Sequence, residues 1–220
     1  MKSVTTLLLA MLFVVLQPGL AQAKDYEEGK HYQLLSSPQP TSTGDKIEVV
    51  ELFWYGCPHC YELEPDMQAW LKRKPDYVEL VRMPAIVGPR WELLAQAYYT
   101  AEVLGIIDTM HPALFKALHE KHMQINDEAA LQAFFVDQGV SAEDFRNTYN
   151  SFAVAVKMNN ARQMTRRYKI SGVPTIIVNG TYSTGAKQAG SNQGVFEVVD
   201  YLVEQEHVPA PAAPAGVVVN

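Results

Sequence analysis

The stretch Glu51-Leu-Phe-Trp-Tyr-Gly-Cys57-Pro-His-Cys60 decides how this chain is read. Val49 to Tyr55 is β-branched, aromatic and nearly free of charge, the composition of a strand covered on both faces. Gly56 interrupts it. From Pro58 the period changes, because proline is at home in a first helical turn and Leu63, Met67, Trp70 and Leu71 recur at the spacing of one helical face. A buried strand is therefore expected to pass into a helix through a tight turn, with Cys57 at the helix N-terminus.

That position has chemical consequences. Unpaired backbone N–H groups and the positive end of the helix favour a thiolate over a thiol, so Cys57 is expected to titrate below the ordinary value of about 8.5. His59 adds a donor or a positive charge beside the sulfur. Cys60 lies on the same face, one turn deeper, near enough to close a small disulfide ring and harder to reach from outside. One thiol attacks or is attacked, and the other resolves.

Other uses of a Cys-x-x-Cys pair fit less well. Zinc needs four ligands, and the only other candidate pair, His119 and His122, has two intervening residues where roughly three to five are usual. Haem attachment needs a histidine directly after the second cysteine, where this chain has Tyr61. A purely structural bridge closing so short a loop would constrain the unfolded chain least. Strand, turn and helix around the pair instead suit redox chemistry.

The run from Glu51 to Glu64, with Cys57-Pro58-His59-Cys60 followed by Tyr61 and Glu62-Leu-Glu64, resembles the active-site segment of the DsbA family of periplasmic thiol:disulfide oxidoreductases. A second match lies at Gly172-Val173-Pro174-Thr175 and Val178-Asn-Gly-Thr-Tyr182, with a helix-rich stretch between the two. The resemblance spans nearly the whole chain after residue 23. It implies an α/β thioredoxin fold with an inserted all-helical subdomain, divided as 24–87, 88–161 and 162–208. It also implies a cis Pro174 facing the disulfide, with the backbone of Val173 free to pair with an extended substrate. An ordinary strand-initiating proline is the plainer reading of Pro174. The implied partners are newly exported or unfolded cysteine-containing proteins and, for reoxidation, a quinone-linked membrane oxidase of the DsbB type. No organic cofactor or metal is required.

Glu51 is the unusual residue of the central strand. Covered on both faces, its carboxylate would be desolvated and its pKa raised towards neutrality, making it a candidate proton acceptor for Cys60; the resemblance places an acid beneath the disulfide here. At the strand's solvent-facing end it would be an ordinary surface acid. Both readings stand at this point.

Residues 1–23 read as a secretory signal peptide: Lys2, an apolar run from Leu7 to Leu16, and a small-residue site Ala21-Gln-Ala23, with cleavage after Ala23. The apolar run is too short to favour a permanent membrane anchor. The net charge of −6 and the lack of any basic cluster beyond Arg166-Arg167 and Lys169 argue against nucleic acid as a partner. With only two cysteines, both in the reactive pair, the fold is expected to rest on its hydrophobic core. A monomer is expected.

In order, the chain predicts an edge strand near Tyr32 to Leu35, a central strand from Ile47 to Trp54 and a third from Tyr77 to Met83, the last two joined by the helix as a right-handed βαβ unit. Trp91 to Glu102 outlines a helix ending near Gly105, and Pro112 is expected to begin another. Asn126 or Asp127 caps the next. Ser141-Ala-Glu-Asp144 resembles a capping box, and a longer helix runs from Phe152 to Tyr168. This helical stretch either is purely structural or lends apolar surface to substrate. His111, His119 and His122 fall in it and are assigned no role. Thr175 to Val178, Asn179-Gly180 and Thr181-Tyr182 signal a hairpin with a type I′ turn. The last helix spans Asn192 to Glu206, and residues 209–220 read as a disordered Pro/Ala tail.

Three functions stay in view: a dithiol oxidase, a reductase or isomerase on the same fold, and a peptide-binding chaperone module with an incidental disulfide. The missing dimerisation domain weighs against isomerase. Pro58-His59, where thioredoxin-type reductases have Gly-Pro, weighs against reductase.

Overall fold

The computed structural model describes residues 25–207, so the signal peptide and the Pro/Ala tail lie outside the described residues. The sheet has the order β1-β5-β4-β2-β3, built from β1 (Gln33–Leu34), β2 (Ile47–Phe53), β3 (Val78–Pro84), β4 (Thr175–Val178) and β5 (Tyr182–Thr184). β2 and β3 run parallel, with α1 (Pro58–Leu71) crossing between them, and the remaining pairs are antiparallel. Every residue of β2 is buried, the five apolar ones and also Glu48 and Glu51. Asn179 and Gly180 take φ of 47° and 61°, and the Thr181 N–H closes on the Val178 carbonyl at 3.0 Å, giving the expected primed turn.

Between β3 and β4 lie α2 (Pro89–Val103), α3 (Ile107–His119), α4 (Glu128–Asp137), α5 (Ala142–Tyr149) and α6 (Phe152–Arg167); α7 (Ala186–Ala189) and α8 (Asn192–Glu206) follow β5. Alternation along the strands divides the interior. Val49, Ile176 and Val178 pack with Leu63, Met67 and Trp70 of α1 and with Val195, Phe196 and Val199 of α8. Val50, Leu52 and Ile177 face the core shared with the five helices between β3 and β4. Burying those two faces is what holds the sheet between its helical layers.

Two local expectations are corrected. α3 begins at Ile107, so Pro112 sits in its second turn instead of starting it. The cost is small here, because the carbonyl left without a helical N–H belongs to Asp108 and both residues are exposed, while Met110, Leu114 and Phe115 anchor the helix in the core. The α5 capping box is half formed. The Ser141 hydroxyl oxygen accepts from the Asp144 N–H at 3.0 Å, but the Asp144 carboxylate accepts from that same hydroxyl at 2.6 Å and not from the Ser141 backbone. Aspartate is one methylene shorter than the glutamate that normally completes the box.

Candidate active site

The turn between β2 and α1 places Cys57 at the N-cap of α1 and Cys60 inside its first turn. Gly56 is needed there for space: a Cβ at this position would run into the Trp54 ring. The Cys57 N–H bonds the Trp54 carbonyl at 2.9 Å, and the Cys60 N–H bonds the Cys57 carbonyl at 3.1 Å. Both cysteines are in the thiol form; Cys57 is half-buried and Cys60 fully buried. From across the sheet, the Val173 carbonyl accepts from the Cys57 thiol at 3.5 Å, and Val173-Pro174 is a cis peptide. The structure thus brings Cys57, Pro58, Cys60, Val173 and Pro174 to one end of the sheet.

The two thiols differ sharply in proton affinity. Cys57 is lowered to about 6, first by the hydrogen bond from the Cys60 thiol, against a contribution from burial, and then by the backbone N–H groups of Cys60 and His59. Burial, and then the bond to Cys57, push Cys60 far above the thiol range, with the charge of Glu51 adding to the effect. His59 is less involved than its position suggests. Its side chain is 75% exposed, and Nδ1 meets Glu62 Oε2 at 2.9 Å, which raises its pKa before any influence of Cys57. Its charge ranks last among the influences on Cys57.

Glu51 is 0% exposed, which excludes the surface reading. Burial raises its pKa to about 7 against the charge of Arg82, its cross-strand neighbour in the parallel register, whose Nε donates to Oε2 at 3.0 Å. Oε1 has no hydrogen-bond partner among the described residues. The second amino group of Arg82 reaches Glu64 Oε2 at 3.2 Å, and Glu64 Oε1 meets His111 Nε2 at 3.1 Å. Nδ1 of His111 lies 2.8 Å from the Tyr55 hydroxyl. His119 Nε2 donates to the Tyr55 carbonyl at 2.7 Å and stacks on Tyr61. Glu64, Arg82, His111 and His119 carried no predicted role, yet they form the polar support of the active-site turn. A signal was present: Glu51 and Arg82 are opposite charges on adjacent strands, at positions that the strand register pairs.

Two grooves flank the turn. One, of about 600 Å³, runs between the head of α1 and the helical insertion, lined by Trp54, Pro58, Arg90, Leu93, Leu118 and Met123. The other, of about 790 Å³, opens onto Glu64, Arg82, Tyr98, His111 and Phe115. Among the described residues no three His, Cys, Asp or Glu side chains converge as a metal site requires.

A reactive outer thiol and a sealed inner one, carried on this sheet and helix, define a thioredoxin-fold thiol:disulfide oxidoreductase. The family model of the DSBA-like thioredoxin domain matches residues 81–192. The chain is 42% identical to the thiol:disulfide interchange protein DsbA of Pseudomonas aeruginosa, over 93% of this chain and 97% of that protein. It is 38% identical to the protein of the same name from Burkholderia cepacia, over 93% and 96%. The crystal structure of Pseudomonas aeruginosa DsbA superposes with a TM-score of 0.78 over 82% of this chain and 94% of that one. The oxidoreductase DsbA from Xylella fastidiosa, 34% identical, gives 0.75 over 81% and 96%. The chain belongs to the DsbA family.

Proposed function

We propose that this protein is a dithiol oxidase that donates a Cys57–Cys60 disulfide to newly exported proteins in the periplasm. The observation that carries this reading is the asymmetry of the two thiols: Cys57 is half-exposed with a pKa of about 6, whereas Cys60 is buried and held protonated. A substrate thiolate attacks Cys57 Sγ, the bond to Cys60 breaks, and Cys60 leaves as a thiolate that takes a proton from the neutral carboxyl of Glu51. A second substrate thiolate then attacks the substrate sulfur of the mixed disulfide and expels Cys57, a good leaving group because its thiolate is stabilised. Run backwards, the same steps need Glu51 as the proton acceptor for Cys60.

In this reading the Val173 backbone pairs with extended substrate beside Pro174, Pro58 shapes the head of the helix, and His59 tunes Cys57 modestly. The groove along Trp54, Leu93 and Met123, of mixed polar and apolar lining, supports a substrate-facing role for the helical segment 88–161, set between fold segments 24–87 and 162–208. Reoxidation falls to a quinone-linked membrane partner of the DsbB type, and the protein acts as a monomer after cleavage at Ala23. The test is an equilibrium titration against a glutathione buffer together with oxidation of a reduced, unfolded substrate. An oxidase is reduced by mild glutathione and oxidises substrate stoichiometrically. A potential as negative as a thioredoxin's would identify a reductase, and substrate oxidation that survives Cys57→Ser would identify a chaperone module.

A further inference from the structure

The buried polar cluster contains one group that the dithiol chemistry above does not use. The His111 side chain is only 5% exposed and is held at both ring nitrogens, by Tyr55 at 2.8 Å and by Glu64 at 3.1 Å. The titratable and charged groups around it come from every neighbouring element: Tyr55 after β2, Glu64 on α1, Arg82 on β3, Tyr98 on α2, and Asp108 and Lys116 on its own helix. Their chemistry fixes its protonation. The Tyr55 hydroxyl is fully buried, and burial pushes it well above the ordinary phenol range, so it keeps a proton to donate. Burial works against an ionised Glu64, but its bonds to His111 and Arg82 outweigh that and hold it below the ordinary range, so it is a carboxylate that only accepts.

One form of imidazole suits both neighbours. With the proton on Nε2, His111 donates to Glu64 and accepts from Tyr55. A doubly protonated ring would set Nδ1–H against the Tyr55 hydroxyl, whose own proton has no other acceptor among the described residues. We propose that His111 is a positioning residue for the dithiol reaction: as a neutral ring protonated on Nε2 it shares the Glu64 carboxylate with Arg82, and so sets how much of the Arg82 charge is left for Glu51. The inference rests on the reading of Glu51 as the proton acceptor of Cys60. Without the His111 donor, Glu64 draws Arg82 more strongly, Glu51 loses counter-charge, and its proton is held to higher pH.

The experiment loads Cys57 of the full chain with glutathione and follows release of glutathione by Cys60 attack as a function of pH. In the wild type the rate should rise through a midpoint set by Glu51. His111→Leu should move that midpoint up by about one pH unit, a tenfold change in the acid's dissociation constant. His111→Gln, whose amide N–H and carbonyl can serve Glu64 and Tyr55 together, should restore the wild-type profile. Tyr55→Phe frees Nδ1 to take a proton, adds positive charge beside Glu64 and should move the midpoint down. Tyr55→Phe decides the matter if the leucine variant does not fold. An unmoved midpoint in His111→Leu, an unmoved midpoint in Tyr55→Phe, or a glutamine variant displaced as far as the leucine one would overturn the proposal. Glu51→Gln separates the two layers of argument. A midpoint that survives it sinks the Glu51 reading and this proposal together, whereas a midpoint abolished there but unmoved in His111→Leu sinks this proposal alone.

Discussion

Replacing Cys60 with alanine should raise the Cys57 pKa by about one unit, from about 6 to about 7. In the structure, the hydrogen bond donated by the Cys60 thiol is the largest influence favouring the Cys57 thiolate, ahead of the backbone N–H groups and of the His59 charge. A hydrogen bond to a charged acceptor contributes roughly 1.5–3 kcal/mol, which corresponds to roughly one to two pKa units. Cys57 is half-open to water, and solvent screening brings the expectation to the lower end of that range. Thiolate absorbance in the ultraviolet and the pH dependence of alkylation both report the midpoint. Cys60→Ser keeps a donor at the same place and should recover most of the shift. His59→Gly should move the midpoint less than Cys60→Ala, since the imidazole is exposed and committed to Glu62. A Cys57 midpoint unchanged in Cys60→Ala, or moved further by His59→Gly, would refute this account of the thiolate.

Cys60→Ala should also accumulate mixed disulfides with exported proteins on non-reducing gels, and Cys57→Ala should not; equal abundance in both would refute the assignment of nucleophile and resolver. The reduced protein should gain stability relative to the oxidised one as pH rises. The Cys57 pKa is lower folded, at about 6, than unfolded, so the thiolate contribution is complete above the unfolded value of about 8.5 and is lost as pH falls through about 6. Its ceiling of roughly 3.4 kcal/mol falls to roughly 1.7 kcal/mol once screening is allowed for, close to the ~2 kcal/mol of chain entropy that a four-residue disulfide loop supplies. Denaturant unfolding should therefore find the oxidised form more stable in acid and the two forms converging near pH 8.5, and a pH-independent difference would contradict the low Cys57 pKa. Glu51→Gln should stabilise the fold at pH 8 by up to roughly 4 kcal/mol, because a folded pKa of about 7 against an unfolded value of about 4.3 means that wild-type stability declines as pH rises through that window. A variant no more stable than wild type at pH 8 but equal to it at pH 4 would show that Arg82 fully compensates the buried charge.

The dithiol turn was legible because its signals are local. A β-branched run, a glycine, a proline at a first helical turn and two cysteines one turn apart need no tertiary information, and the Asn179-Gly180 turn follows from backbone preference alone. The supporting cluster was not legible, because it depends on register and on packing between elements distant in sequence. Arg82 meets Glu51 only because β2 and β3 pair in parallel at that offset, and His111 reaches Glu64 only because α3 packs over α1. Single histidines on helices look alike until their neighbours are known. Pro112 misled for the same reason, since an exposed proline in a second turn is tolerated when the rest of the helix is well anchored.

The shortness of β1 bears on the company this protein keeps. An oxidase for newly exported chains works among segments whose backbone N–H and C=O groups are still unpaired and ready to add to any open strand. Here one margin of the sheet ends in a strand of only two residues, Gln33–Leu34, and the strand at the opposite margin ends at Pro84, which has no N–H to offer. The β1 margin therefore offers almost no free ladder positions, and the β3 margin lacks a donor at Pro84. At the β1 margin a client chain thus finds little to add to, which favours its departure once its sulfur has been exchanged.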